Sequence, residues 1–203
     1  MMPKPQIRYL KEMAKVIYDK DFAQKNPDLE LYSVYRGVKK QGEIRYDITV
    51  IPPQMLSQEF VRTKGNRNSN GFNELYTILS GEAIFLMQKV YPERSRRVQD
   101  AKAIKVKKGD YVLVPADYSV IIINASKKEL KTGNWVSEKN QNIYEELEKI
   151  GGMCYFAVVQ KSKIKYQKSK IKWIRNKNYK KIPELRFEKP LKKKPKDLNF
   201  LKG

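Results

Sequence analysis

The 203-residue sequence contains no histidine and a single cysteine. Without imidazole, the chain cannot build a Ser-His or Cys-His nucleophile pair, use histidine as acid or base, or hold a metal through ring nitrogen. Any proton transfer falls to carboxylates, tyrosines or lysines. Cys154 has no internal disulfide partner, and within Met153-Cys154-Tyr155-Phe156 it reads as a core residue rather than a nucleophile. No apolar stretch of signal-peptide or membrane length follows Met1, so a reducing, cytoplasmic setting with no membrane partner is expected.

What is abundant is positive charge. Lys and Arg number 43 against 22 Asp and Glu, and the excess is uneven: residues 161–203 hold 17 basic residues against only Glu184, Glu188 and Asp197. Composition therefore divides the chain into a domain over 1–160 and a basic C-terminal extension over 161–203. The length suits one domain with some chain left over, and a hydrophobic fraction of 40% supports a true core. In the extension, Lys161-Ser-Lys-Ile-Lys165 recurs as Lys168-Ser-Lys-Ile-Lys172, alternating as a surface strand does. Trp173, Tyr179, Ile182, Leu185 and Phe187 read as anchors, and the run from Lys192 to Lys196 as solvated. Basic residues interleaved with aromatics are one signature of nucleic-acid binding. Here lysine far exceeds arginine and no nucleic-acid motif is present, so a solvated face, or steering of anionic small molecules, is the preferred reading.

Short apolar runs follow one another at close spacing. Leu29–Val38, Ile44–Ile51, Phe60–Thr63, Glu74–Leu79, Ala83–Val90, Ala103–Val106, Tyr111–Val114, Val120–Asn124, Asn134–Ser137 and Met153–Val159 all read as strands, punctuated by Gly, Pro and Asn. Ile7–Ile17 has no clean period and is read as an edge strand. Asp19 is placed to cap a short helix through Lys25, ended by Asn26-Pro27, and Asn142–Ile150 carries helical spacing. The pattern is all-β, a sandwich or barrel with one or two short helices. Residues 91–101 and 127–152 interrupt the rhythm and are expected as surface insertions.

Two motifs narrow the barrel. Gly109, Pro115 and Asn124 stand at the spacing of the second cupin motif, with Asp117 at its glycine and Val120 at its metal-binding histidine. Asn66-Arg67-Asn68, then Glu74 and Gly81, resemble the first motif with asparagine at both histidines. The chain thus resembles a cupin double-stranded β-helix, or jelly-roll, barrel. A narrower likeness comes from Thr49, from Gln58 to Gly65 with its Thr63-Lys64-Gly65 triplet, and from Glu74-Leu75-Tyr76. These are similar to the cupin-type glucose-6-phosphate isomerases of archaea and bacteria, and Asn178 to Arg186 is similar to their tail.

That resemblance implies interconversion of glucose 6-phosphate and fructose 6-phosphate, in glycolysis or gluconeogenesis, by a barrel that commonly dimerises through its edges. It also implies phosphate binding at Thr49, Thr63 and Gly65 with Lys64 adjacent, and a divalent metal such as Fe, Mn, Ni or Zn at the positions of Asn66, Asn68, Glu74 and Val120. Two amides, one carboxylate and an aliphatic make a poor site for such ions, so no metal cofactor is expected. Because strand side chains alternate, Glu74 and Tyr76 share a face. A glutamate confined among apolar strands suits a general base, with Tyr76 sharing the proton; equally, Glu74 would be a structural relic if paired with Arg62, Arg67 or a lysine. Two functions stay open. One is a metal-free isomerase with catalytic Glu74 and Tyr76 and a cation such as Arg67 in the metal's electrostatic role. The other is a non-catalytic cupin that binds a sugar phosphate or another anion. A third reading places the function in the basic extension.

Overall fold

The computed structural model describes residues 3–69, 71–160 and 170–202. Among them strands dominate, and they form two facing sheets. The larger sheet runs, edge to edge, Gln6–Tyr9, Glu30–Gln41, Ile44–Ile51, Leu130–Ser137, Glu74–Ser80 and Tyr111–Val114. The facing sheet runs Ser119–Ile123, Glu82–Tyr91, Arg94–Lys107 and Arg186–Glu188. An irregular stretch after Phe60 lies against it through bridges from Arg62 to Ile123 and from Asn66 to Val120. Neighbouring strands are mostly antiparallel and distant in sequence, which is jelly-roll connectivity. The structure is therefore the all-β double-stranded β-helix that the two motifs imply. No helix among the described residues is long and apolar enough to cross a membrane.

Local chemistry explains most element ends. Asp19 caps helix Lys20–Lys25, its Oδ1 accepting from Phe22 N at 2.9 Å. The second helix is shorter than its periodicity suggests, Glu145–Ile150, because Asn142–Ile143 pairs with Arg67–Asn68 instead. The opening residues form an edge strand only over Gln6–Tyr9 and then a 3-10 turn, Leu10–Met13, whose Leu10 and Met13 are buried.

Residues 127–152 require a correction. They are not a surface excursion, since Leu130–Ser137 pairs on both sides, with Ile44–Ile51 and with Glu74–Ser80. Its inward Asn134 lines a polar cavity and Thr132, on the same side, is fully buried, so the strand lacks the apolar alternation that would have marked it. Strands Glu82–Tyr91 and Arg94–Lys107 form one long hairpin, within which Val98 and Ala101 are buried.

The first copy of the lysine repeat, and the start of the second, lie outside the described residues. From Lys170 onward the extension is woven into the barrel. Lys170–Arg175 pairs with Tyr155–Gln160, and Arg186–Glu188 pairs in parallel with residues 102–104. Leu198 and Leu201 pack with Ile44 and Leu75 on the outer face of the larger sheet. Of the expected anchors, Tyr179 is buried and Trp173, Ile182 and Leu185 pack on the core. Phe187 does not anchor, being 58% exposed against the edge of Trp173.

One buried ion pair holds the entry to the site. Arg62 and Glu59 are both fully buried, with Nε to Oε1 at 2.6 Å. Arg62 also donates to the carbonyls of Val16 and Thr63, while Glu59 accepts from Tyr18 N at 2.8 Å. The pair thus ties the N-terminal segment to the Thr63–Gly65 loop. Breaking one half of a buried pair strands the other charge, so Glu59→Gln is expected to cost about 3–5 kcal/mol of unfolding free energy in a urea titration. Replacement of surface Glu43, whose pairing with Lys139 is exposed, should change it by less than about 1 kcal/mol.

Candidate functional site

Alternation and register together place a polar row across the inner face of the larger sheet. Asp47 pairs with Asn134, and Asn134 pairs with Tyr76. Arg36 extends the row from the neighbouring strand, bonded to Asp47 at 3.1 Å. Thr49 lies one pleat to one side of this row and Glu74 one pleat to the other. The opposite wall is formed by Val120 and Ile122 with Thr63, Gly65 and Asn66. Arg8, Tyr32 and Tyr144 complete a polar cavity of about 60 Å³. That volume holds a few water molecules, so a larger ligand must also occupy the open mouth.

The two inward carboxylates are treated oppositely. Asp47 accepts from Gly37 N at 2.7 Å and from Arg36 and Arg45, each at 3.1 Å. The first of these bonds comes from a bulge, where strand Glu30–Gln41 shifts register after Tyr35 and Gly37 takes a φ of 65°. Glu74 has no ion-pair partner among the described residues, and its Oε2 is buried without a hydrogen bond. Its neighbours across the sheet are Val136 and Val114. Burial pushes its carboxyl up to about 7, a shift that the Tyr76 hydroxyl reduces, Asp47 reinforces, and Arg45 and Arg36 oppose. Tyr76 is buried beside it and packs edge-on to Phe85, and burial together with the Glu74 charge keeps its phenol protonated.

The expected phosphate residues divide. Thr49 and Thr63 line the cavity, and the Thr63 hydroxyl accepts from Ile122 N at 3.0 Å. Gly65 also lines it, at a φ of 91°, where an added Cβ would stand 2.6 Å from Ile121 Cγ2. Only glycine fits there. Lys64 is not among the lining residues. Its ammonium pairs with Glu148 and lies 4.8 Å from the Tyr144 ring, while its backbone N–H donates to Tyr32 at 3.1 Å. Arg67 is likewise diverted, with two nitrogens on Glu146.

The positions that correspond to metal ligands do not fit a divalent transition metal. Asn66, Glu74 and Val120 line the cavity, but Asn68 is committed elsewhere. Its Nδ2 donates to Phe72 O at 2.9 Å, and its Oδ1 accepts from Asn66 and Asn140. One carboxylate and one amide remain, with an aliphatic opposite, and no group of three or more His, Cys, Asp or Glu is arranged for an ion among the described residues. The residues that sequence reasoning missed are Arg8, Arg36, Asp47, Asn134 and Tyr144. Two signals were available: Gly37 inside a strand, and Asp47 inside the apolar run Ile44–Ile51.

Fold and cavity define a cupin-type barrel with Asn66, Glu74 and Val120 on its inner wall. A family model described as glucose-6-phosphate isomerase (GPI) matches residues 10–174, and the chain belongs to that family. No curated protein matches it. Among solved structures it is similar to the oxalate decarboxylase of Lactobacillus farciminis in a formate complex, at 14% identity and a TM-score of 0.41, over 53% of this chain and 29% of that one. It is also similar to the Drosophila melanogaster CENP-C cupin domain, at 12% and 0.37 over 53% and 68% of the two chains. The Schizosaccharomyces pombe Cnp3 cupin domain aligns at 13% and 0.38 over 60% and 72%. The similarity thus spans less than a third of the oxalate decarboxylase chain.

The Glu74 environment makes stability depend on pH. Its folded value near 7 lies above the ordinary 4.5, so the folded state holds the proton more tightly. The contribution is fully present below pH 4.5 and is lost as pH rises through 7, amounting to about 3 kcal/mol at 1.36 kcal/mol per pH unit. Urea titrations from pH 4.5 to 8 should show this fall in the wild type, and Glu74→Gln should remove it. Elemental analysis of protein purified without chelator should find Fe, Mn, Ni and Zn well below one per chain.

Proposed function

We propose that this chain is a metal-independent aldose–ketose isomerase that interconverts glucose 6-phosphate and fructose 6-phosphate, a step of glycolysis and gluconeogenesis. The observation that carries this reading is the unpaired, buried Glu74 carboxyl, poised near neutrality in the same cavity as Thr49, Thr63 and Gly65. A base with a value near the working pH is the one best matched to proton transfer. Family membership supplies the substrate class.

The chemistry needs only this chain's own groups. With the phosphate at the Thr49, Thr63 and Gly65 wall, Glu74 takes the proton from carbon 2 of the open-chain aldose. The C–H electron pair forms the carbon 1–carbon 2 double bond, and the carbonyl pair moves to the oxygen of carbon 1. Tyr76 relays the hydroxyl proton of carbon 2 to that oxygen. Glu74 then returns its proton to carbon 1 as the ketose carbonyl forms, so no oxidant or reductant is consumed. Aliphatic Val120 and Ile122 exclude water from the opposite side. Glu74, a carboxylate before the first transfer and a carboxyl after it, forms the acid–base pair with the Tyr76 phenol.

An assay coupling conversion of fructose 6-phosphate to a dehydrogenase, run with and without chelator, tests the reading. Turnover is expected to be unaffected by chelator and to fall by about 10²–10⁴ in Glu74→Gln. Absence of turnover in the wild type, together with thermal stabilisation by the sugar phosphates, would replace isomerisation with binding alone. That outcome would accord with the commitment of Asn68 to an internal hydrogen-bond chain.

A further inference from the structure

Arg36 stands in the polar row between Thr49 and Glu74, where the substrate's reacting carbons must lie if its phosphate rests at Thr49. The guanidinium is held on two sides. Nε donates to Gln6 Oε1 at 3.0 Å and Nη1 to Asp47 Oδ2 at 3.1 Å, while Nη2 has no acceptor among the described residues. Asp47 is shared with Arg45, so two guanidinium charges meet one carboxylate and leave one positive charge in excess. Arg45 directs its Nη1 to the carbonyls of Ser137 and Glu138 and does not line the cavity. Arg36 does line it. The other cations near the mouth have acids of their own: Arg8 pairs with Glu12 and Arg67 with Glu146, while Lys64, which does not line the cavity, shares Glu148 with Lys15 at 3.8 Å.

We propose that Arg36, fixed by Asp47, binds the oxyanion that develops on the oxygens of carbon 1 and carbon 2, filling the electrostatic role that the donor set here cannot give to a metal. The inference rests on the isomerase reading above and assigns that site a residue outside the motifs. A guanidinium is suited to the task because it stays charged at every working pH and presents donors in a fixed plane. Pinned by Gln6 and Asp47, it needs no reorganisation when charge appears, which is the condition under which such donors contribute most. As Glu74 removes the carbon 2 proton, negative charge passes to the oxygen of carbon 1 and then, by the Tyr76 relay, to that of carbon 2. Both oxygens lie on adjacent carbons, within the span of one guanidinium fork.

The test compares two unreactive ligands by calorimetry. One is a five-carbon aldonate phosphate, whose carboxylate resembles the enediolate; the other is the matching alditol phosphate, which is neutral at that end. The wild type should prefer the aldonate by on the order of 100-fold, as a site complementary to the charged intermediate requires. Arg36→Gln should reduce this preference to within about 3-fold while leaving alditol phosphate affinity nearly unchanged, and Arg36→Lys should restore part of it. The double variant Arg36→Gln, Asp47→Asn removes the buried carboxylate together with its partner and should show the same loss if the single variant folds poorly. Equal weakening of both ligands would assign Arg36 to the phosphate and overturn the proposal, as would an aldonate preference that survives in both variants. Failure of the wild type to bind either ligand would overturn the sugar-phosphate reading itself, and this proposal with it.

Discussion

A carboxylate taken into an apolar barrel must be matched by donors or hold its proton, and this cavity contains one of each. Asp47 is matched by two guanidinium groups and a backbone N–H that converge on it. Unmatched, a buried charge of that kind costs several kcal/mol. Glu74, one pleat beyond the row, has aliphatic cross-strand neighbours and no such donors. The site's chemistry follows from this contrast. A fixed positive field and a titratable base coexist because the strand geometry keeps Arg36 on Asp47 instead of letting it neutralise Glu74.

Asn66 and Asn68 belong to a hydrogen-bonded chain of amides. Asn66, Asn68 and Asn140 bond in sequence, and Asn140, Asn142 and Tyr144 continue the chain along the rim. These bonds join the 66–69 loop to the segment before helix Glu145–Ile150. The helix in turn supplies Glu146 and Glu148, which capture Arg67 and Lys64. The result is an amide network in which each side-chain amide has a partner, the arrangement in which buried polar groups are tolerated.

Both fold and site were partly legible in the residues themselves. Strand Ile44–Ile51 and strand Tyr111–Val114 have the ends their apolar runs predict, and Asp19 caps the helix it was placed to cap. Strand Leu130–Ser137 was obscured because Thr132, Gly133 and Asn134 break the apolar pattern, Asn134 because it lines the cavity. Within the site, the shared face of Glu74 and Tyr76 followed from alternation alone. The diversion of Lys64 and Arg67 did not, since their partners lie on a helix about 80 residues away in sequence.

The sequence by itself determined that no imidazole chemistry is possible, that the chain alternates into short strands, and that Glu74 and Tyr76 point the same way. These are consequences of residue identity and a two-residue period, both local. Only the tertiary structure decided which cations line the cavity. That choice depends on a bulge at Gly37, on the register that brings Asp47 opposite Asn134, and on acids from a distant helix that claim the competing lysine and arginine. Each depends on how strands and helix are brought together, and its electrostatic consequence appears only when burial has removed the water that would otherwise screen it.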